Sequence, residues 1–158
     1  MIYNIFFIVL LILAIFCAIH IAIADLRRRI IPDAYLFPLL IIGLVVTAWF
    51  PWVISPKSAA LGAAFGFTLS AIIGVAYERI SRRNTSDKNY VPPIGLGDIK
   101  LIGTGGIWLG PTGLSIALII SCILGMIWGA IKHQKYIPFA PFFVVGGFLS
   151  LIAIWFLL

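Results

Sequence analysis

Charge is scarce in this chain. Only 10% of its 158 residues are charged while 63% are hydrophobic, against about 25% charged residues in an ordinary soluble domain. Long polar stretches are missing as well, the longest running from Glu78 to about Pro93. A water-soluble fold has no means of hiding so much apolar surface, which excludes a soluble enzyme and leaves no room for a second, soluble domain. Residues 1–158 are therefore expected to form one transmembrane domain. Cysteine is nearly absent, and Cys17 and Cys122 lie in apolar runs without CxxC spacing, as small buried hydrophobes do. There is no HExxH and no cysteine–histidine cluster, so no metal site is expected. There is no GxSxG, and no serine has an evident histidine partner. His20 precedes Asp25 by five residues, about 140° around a helix, so the two do not share a face; His133 lies in a basic loop.

What remains is hydrophobic sequence in span-sized pieces. A membrane helix needs about 20 apolar residues, within a range of ~17–25. Six candidates meet or approach this: 2–24, 34–50 (ending before Pro51), 58–77, 97–110 (ending before Pro111), 112–131 and 138–158. The first could pass for a signal peptide, but it lacks a basic leading region and its apolar run exceeds the usual ~7–15 residues. It reads as a retained membrane helix. The expected fold is an all-α integral membrane bundle of about six transmembrane helices.

Six spans place the loops alternately on two sides. Arg27, Arg28, Arg29, Arg79, Arg82, Arg83, Lys88, Lys100, Lys132 and Lys135 fall on one side and Lys57 alone on the other. Lysine and arginine accumulate on the cytoplasmic side of membrane proteins, so both termini are expected outside and the three basic loops inside. The net charge of +6 is thus explained by topology, and without basic–aromatic interleaving no nucleic-acid partner is expected. All five acidic residues, Asp25, Asp33, Glu78, Asp87 and Asp98, map to the same cytoplasmic side. The positive-inside rule does not require this, and it points to polar work on that face. Small residues recur every four positions at Gly62, Gly66, Ser70 and Gly74, and again at Gly113, Ala117, Ser121, Gly125 and Gly129. Such stripes let helix backbones approach closely in lipid, within one bundle or between the copies of a homodimer.

An ionisable residue at membrane depth is expensive and marks function by default. Asp25 ends the first span and precedes three arginines, so it is either a solvated helix end paired with Arg28 or Arg29 or a functional acid. Asp98 could be the N-cap of the fourth helix, but an N-cap does not need Gly95 and Gly97 before it. Those glycines permit an unusual turn and the close approach of another backbone, such as a substrate strand. Asp33, after Pro32, reads as the N-cap of the second helix, and Glu78 and Asp87 read as solvated loop charges. Two carboxyls brought together can share a proton, one activating water and the other protonating a carbonyl oxygen or a leaving amine. The N-terminal end of the fourth helix favours negative charge and the C-terminal end of the first disfavours it, which casts Asp98 as base and Asp25 as acid. Lys100 either attracts an acidic residue of the substrate, holds the pair in place, or snorkels to the interface.

The run Gly95-Leu96-Gly97-Asp98-Ile99-Lys100-Leu101, continuing through Gly103-Thr104-Gly105-Gly106-Ile107-Trp108-Leu109-Gly110, resembles the GxGD signature of prepilin peptidases. Asp25, followed seven residues later by Pro32-Asp33, resembles their first aspartate motif, and Ile137-Pro138-Phe139-Ala140-Pro141 resembles the start of their final helix, which often reads PFGP. The resemblance spans nearly the whole chain. It implies an aspartic endopeptidase of the type IV leader peptidase class, without cofactor, in the inner (cytoplasmic) membrane. Its active site would be on the cytoplasmic side, with Asp25 and Asp98 as the catalytic pair, and it would remove the leader of a prepilin-like substrate (pilin, pseudopilin, Flp pilin or preflagellin). Larger members carry an N-terminal cytoplasmic region with paired cysteines linked to N-methylation. This chain resembles the short, peptidase-only form, so methyl transfer is not expected. The rivals are a small proton- or ion-coupled transporter using Asp25 and Asp98 as ion sites, which inverted repeats would favour but residues 1–77 and 94–158 do not show, and a non-catalytic scaffold, against which the intact aspartates argue.

Overall fold

The computed structural model describes residues 2–50, 52–84, 95–133 and 137–157. Among these, all regular structure is helical and falls into five elements: α1 Ile2–Arg28, α2 Asp33–Trp49, α3 Pro56–Asn84, α4 Leu96–Lys132 and α5 Ala140–Leu157. Three stretches, Tyr3–Arg28, Pro56–Ile80 and Leu96–Lys132, are long and apolar enough to cross a membrane, and Asp33–Trp49 and Ala140–Phe156 are shorter apolar helices. Their outward faces are apolar too, with Ile12, Ile72 and Trp155 among the large exposed side chains. In water such a surface would aggregate; facing lipid, it is at home.

The six expected spans become five elements because the fourth and fifth are joined in α4. Its backbone leaves helical geometry at Gly110, where φ is 65° and ψ is −179°. That combination is essentially restricted to glycine, and Pro111 disfavours a helical conformation for the residue before it. The chain folds back there. Asp98 and Met126 line one cleft, although a straight helix would set them about 40 Å apart at 1.5 Å per residue. A Leu114 methyl likewise lies 3.9 Å from where a Cβ on Gly105 would stand. α4 is thus a hairpin of two legs.

α3 runs past the expected end at Tyr77 to Asn84, so Glu78 is helical and not a loop charge. Asp87, Lys88 and Lys135, expected in loops, lie outside the described residues, as do the side chains of Arg82 and Arg83.

Both small-residue stripes are filled within the chain. Gly62 of α3 crosses Gly106 of the first leg of α4 so closely that a Cβ on either would overlap the other's carbonyl oxygen, and one on Gly66 would lie 2.9 Å from the Ile102 carbonyl oxygen. In the second leg of α4, a Cβ on Gly113 would press into Ile154 of α5, and the Ala117 carbonyl oxygen faces Gly146. A homodimer would need a different surface. Around this frame, Ile21, Leu36, Val46, Leu101 and Leu114 form the buried core. Indole N–H groups tie its polar backbone together: Trp108 donates to the Leu39 carbonyl at 3.2 Å, and Trp52 to the Trp108 carbonyl at 3.1 Å. In lipid no water replaces such bonds.

Candidate active site

Asp25 lies three residues before the end of α1, and it is buried. It is not the solvated helix end that its neighbouring arginines suggest. Its carboxyl Oδ2 accepts the backbone N–H of Ala140 at 2.7 Å, and the Phe139 backbone adds a second interaction. Ala140 opens α5, where the first N–H groups have no partner in the helix and the helix dipole favours an anion. Pro138 and Pro141 bracket this turn, and a proline in the first turn costs the helix nothing because its missing N–H would be unpaired there.

Asp98 is placed by a different helix start. Gly95, not Asp98, is the N-cap of α4, and Asp98 is its third residue. Its Oδ2 accepts the Gly95 backbone N–H at 3.2 Å, the backward bond of a capping box. Gly95 has an ordinary extended backbone (φ −71°, ψ 150°), so no unusual turn is required of it. Gly97 matters for space: a Cβ there would sit 3.0 Å from Cβ of Ile31, in the α1–α2 linker. The group that packs on Gly97 is thus the chain's own Ile31 side chain, not a second backbone.

The two carboxyls come together around the start of α5. Asp25 bonds to Ala140, while Asp98 shares a cleft wall with Phe139 and Phe142. Each takes its hydrogen bond from backbone and not from the other. The cleft beside Asp98 has a volume of about 420 Å³ and is otherwise mostly apolar, with Ile102, Gly125, Met126 and Ile137 among its walls. A carboxyl at the edge of an apolar cleft can exchange a proton with a polar bond carried in by an apolar segment.

The start of α5 also alters the dipole argument. Asp25 is near the C-terminal end of α1 but against the N-terminal end of α5, so the asymmetry that cast Asp98 as base and Asp25 as acid is offset. Asp33 is the first residue of α2, after Pro32 as N-cap. It is not the N-cap expected for it, and its carboxylate instead takes both bonds from Lys100 Nζ, at 3.0 and 2.8 Å. Sequence reasoning missed two things here, the donor role of Ala140 and the pairing of Asp33 with Lys100. The first had a signal in the Pro138–Pro141 spacing, and the second had none.

Apolar helices of this length and number define a multi-pass membrane protein, and two of its carboxyls, Asp25 and Asp98, lie near the start of α5. The chain belongs to the type IV leader peptidase family, whose sequence pattern matches residues 5–130. It is 29% identical over 140 residues to the prepilin leader peptidase/N-methyltransferase of Burkholderia pseudomallei (strain 1026b), covering 83% of this chain and 42% of that protein. The proteins of the same name from Dichelobacter nodosus and Aeromonas salmonicida (strain A449) are each 30% identical, over 129 and 135 residues, covering 80% and 81% of this chain and 42% and 43% of their own. The chain thus spans about two fifths of the length of the curated relatives it matches. No solved structure matches it.

Proposed function

We propose that this chain is a membrane-embedded aspartic endopeptidase that cleaves the leader from type IV prepilin-like substrates, with Asp25 and Asp98 as its catalytic pair. The observation that carries the reading is the convergence of these two acids, one buried and one lining an apolar cleft, on the first turn of α5. Family membership supports peptide-bond chemistry, and the pairing supports a mechanism without metal or covalent intermediate. The pair holds one proton. The ionised carboxyl takes a proton from water as the water oxygen bonds to the scissile carbonyl carbon. The protonated carboxyl donates to the carbonyl oxygen. When the C–N bond breaks, the leaving amine takes the proton that the base removed from water, a hydroxyl of the tetrahedral carbon gives its proton to the other carboxylate, and the pair again holds one proton. The apolar cleft beside Asp98 receives the substrate residues next to that bond.

Counting the two legs of α4 separately gives six crossings. With both termini outside, Asp25 and Asp98 lie at the cytoplasmic face of the inner membrane, on the side where ten of the eleven basic residues are read. Co-expressing a prepilin-like substrate with the wild-type chain, Asp25→Asn or Asp98→Asn tests the proposal by the substrate's size on a gel. Cleavage by the wild type alone is expected. Cleavage that survives both substitutions removes the pair from the mechanism, and a wild-type chain that transports ions but never cleaves would make the acids ion sites instead.

A further inference from the structure

The linker between α1 and α2 is only four residues long, 29–32, and it is pinned at both ends. At its start Arg29 adopts a left-handed backbone (φ 54°) and its N–H bonds to the Asp25 carbonyl at 2.9 Å, closing α1. At its end Pro32 caps α2, its carbonyl accepting the N–H groups of Tyr35 and Leu36 at 3.1 and 3.2 Å. The linker therefore has little freedom of its own, and whatever holds it also holds the end of α1 that carries Asp25.

Two contacts hold it, and they flank Asp98. Ile31 packs closely on Gly97, the residue before Asp98: a Cβ on Gly97 would lie 3.0 Å from Cβ of Ile31. Asp33 is ion-paired with Lys100, two residues after Asp98, through both carboxylate oxygens. Phe37, one turn along α2 from Asp33, places its ring 5.8 Å from the same ammonium, within cation–π range. Lys100 is thus gripped from α2 on two sides. A lysine held in this way is poorly placed to search for an acidic residue on a substrate.

We propose that Asp33 and Lys100, with the Ile31–Gly97 contact, form a clamp that sets the separation of Asp25 and Asp98, so that Asp33 and Lys100 are positioning residues of the active site. This rests on the reading of Asp25 and Asp98 as the catalytic pair. The logic is mechanical. Asp25 and Asp98 belong to different helices, so their separation is fixed only by what joins those helices near them. The Ile31–Gly97 contact is apolar and can slide. The ion pair adds direction, because two oxygens on one ammonium fix the register of α2 against α4. Both charged groups are half-exposed, and a pair so exposed contributes little to overall stability, so its effect should appear in turnover more than in folding.

The test compares cleavage kinetics of purified wild type, Asp33→Asn, Lys100→Gln and the charge-swapped Asp33→Lys/Lys100→Asp chain. Displacing reacting groups by about 1 Å costs roughly 100-fold in rate, so each single substitution is expected to lower kcat by about tenfold or more with KM nearly unchanged. The swapped chain is expected to recover most of the loss. A Lys100→Gln chain whose KM rises while kcat holds would make Lys100 a substrate contact and overturn the proposal. A swapped chain no better than the singles would overturn it as well.

A readout independent of catalysis separates failure of the clamp from failure of the catalytic assignment. Cysteines at positions 31 and 97 (Ile31→Cys/Gly97→Cys) would bring their Cβ atoms within about 1 Å of the ~3.8 Å separation of a disulfide. Oxidation should join them quickly, as read by mass spectrometry of the linked peptides, and several-fold more slowly once Lys100→Gln is added. Equal rates would sink the clamp whatever Asp25 and Asp98 do.

Discussion

Replacing Ala140 by proline deletes one hydrogen atom that the structure assigns to the site. The Ala140 N–H meets Asp25 Oδ2 at 2.7 Å in a buried setting. Helix α5 should tolerate the change, because Ala140 is its first residue and proline is favoured at that position, where the N–H takes no part in the helix ladder. What is lost is a hydrogen bond to an acid, worth about 1.5–3 kcal/mol when the acid is charged. If that bond holds Asp25 in its reacting position, cleavage falls by roughly 10- to 150-fold, at 1.36 kcal/mol per tenfold. The assay is turnover of a synthetic peptide spanning a prepilin leader junction, by purified protein in detergent, with helicity and melting recorded alongside. Ala140→Gly keeps the N–H and is the control, expected to retain most of its activity. A folded Ala140→Pro chain that cleaves at the wild-type rate would refute the role given to α5, and so would an Ala140→Gly chain that loses as much.

Three further changes probe the frame and the cleft. Gly106→Ala puts a Cβ over the Gly62 carbonyl and 2.7 Å from the Ala63 nitrogen; overpacking of this kind costs about 1–3 kcal/mol, and the melting temperature in detergent should drop accordingly. Gly110→Ala forces a side chain into a left-handed, extended backbone and 2.7 Å from Ser58 Oγ. Its strain of about 1–3 kcal/mol should lower the melting temperature or deplete the folded protein in membranes. Met126→Trp narrows the cleft beside Asp98 from an exposed position, and peptide cleavage should fall sharply while melting changes little; unchanged KM and kcat would remove the cleft from substrate binding.

The parts of this site that were legible in the sequence are those with a local cost. Asp25 and Asp98 stood out because a carboxyl amid apolar residues is expensive, and Gly110-Pro111 marked a break because few other pairs make one so sharply. The span that continues into polar sequence was harder. Hydropathy ends at Tyr77, but α3 runs on to Asn84, because a membrane span measures apolar length while a helix stops only where its backbone bonds are broken. Contacts between distant segments left no mark. Asp33 and Lys100 are separated by 67 positions, and either alone reads as a helix cap or a snorkelling charge. The Ala140 N–H was only half legible, since the Pro138–Pro141 spacing marks a helix start but only the fold aims its N–H at Asp25. Gly97 was marked as a place where another backbone, such as a substrate strand, comes close; the group packed there is the Ile31 side chain, which nothing in the local sequence identifies.

The central claim is that Asp25 and Asp98 work as one unit, and the most direct measurement is the cleavage rate of purified Asp25→Asn, Asp98→Asn and the double variant on the same peptide. General acid–base catalysis contributes about 100- to 10,000-fold, and groups that act together are strongly non-additive. Each single variant should fall by at least about 100-fold, and the double should be hardly worse than either. Single losses that multiply in the double, or one variant that keeps its full rate, would contradict a shared catalytic pair.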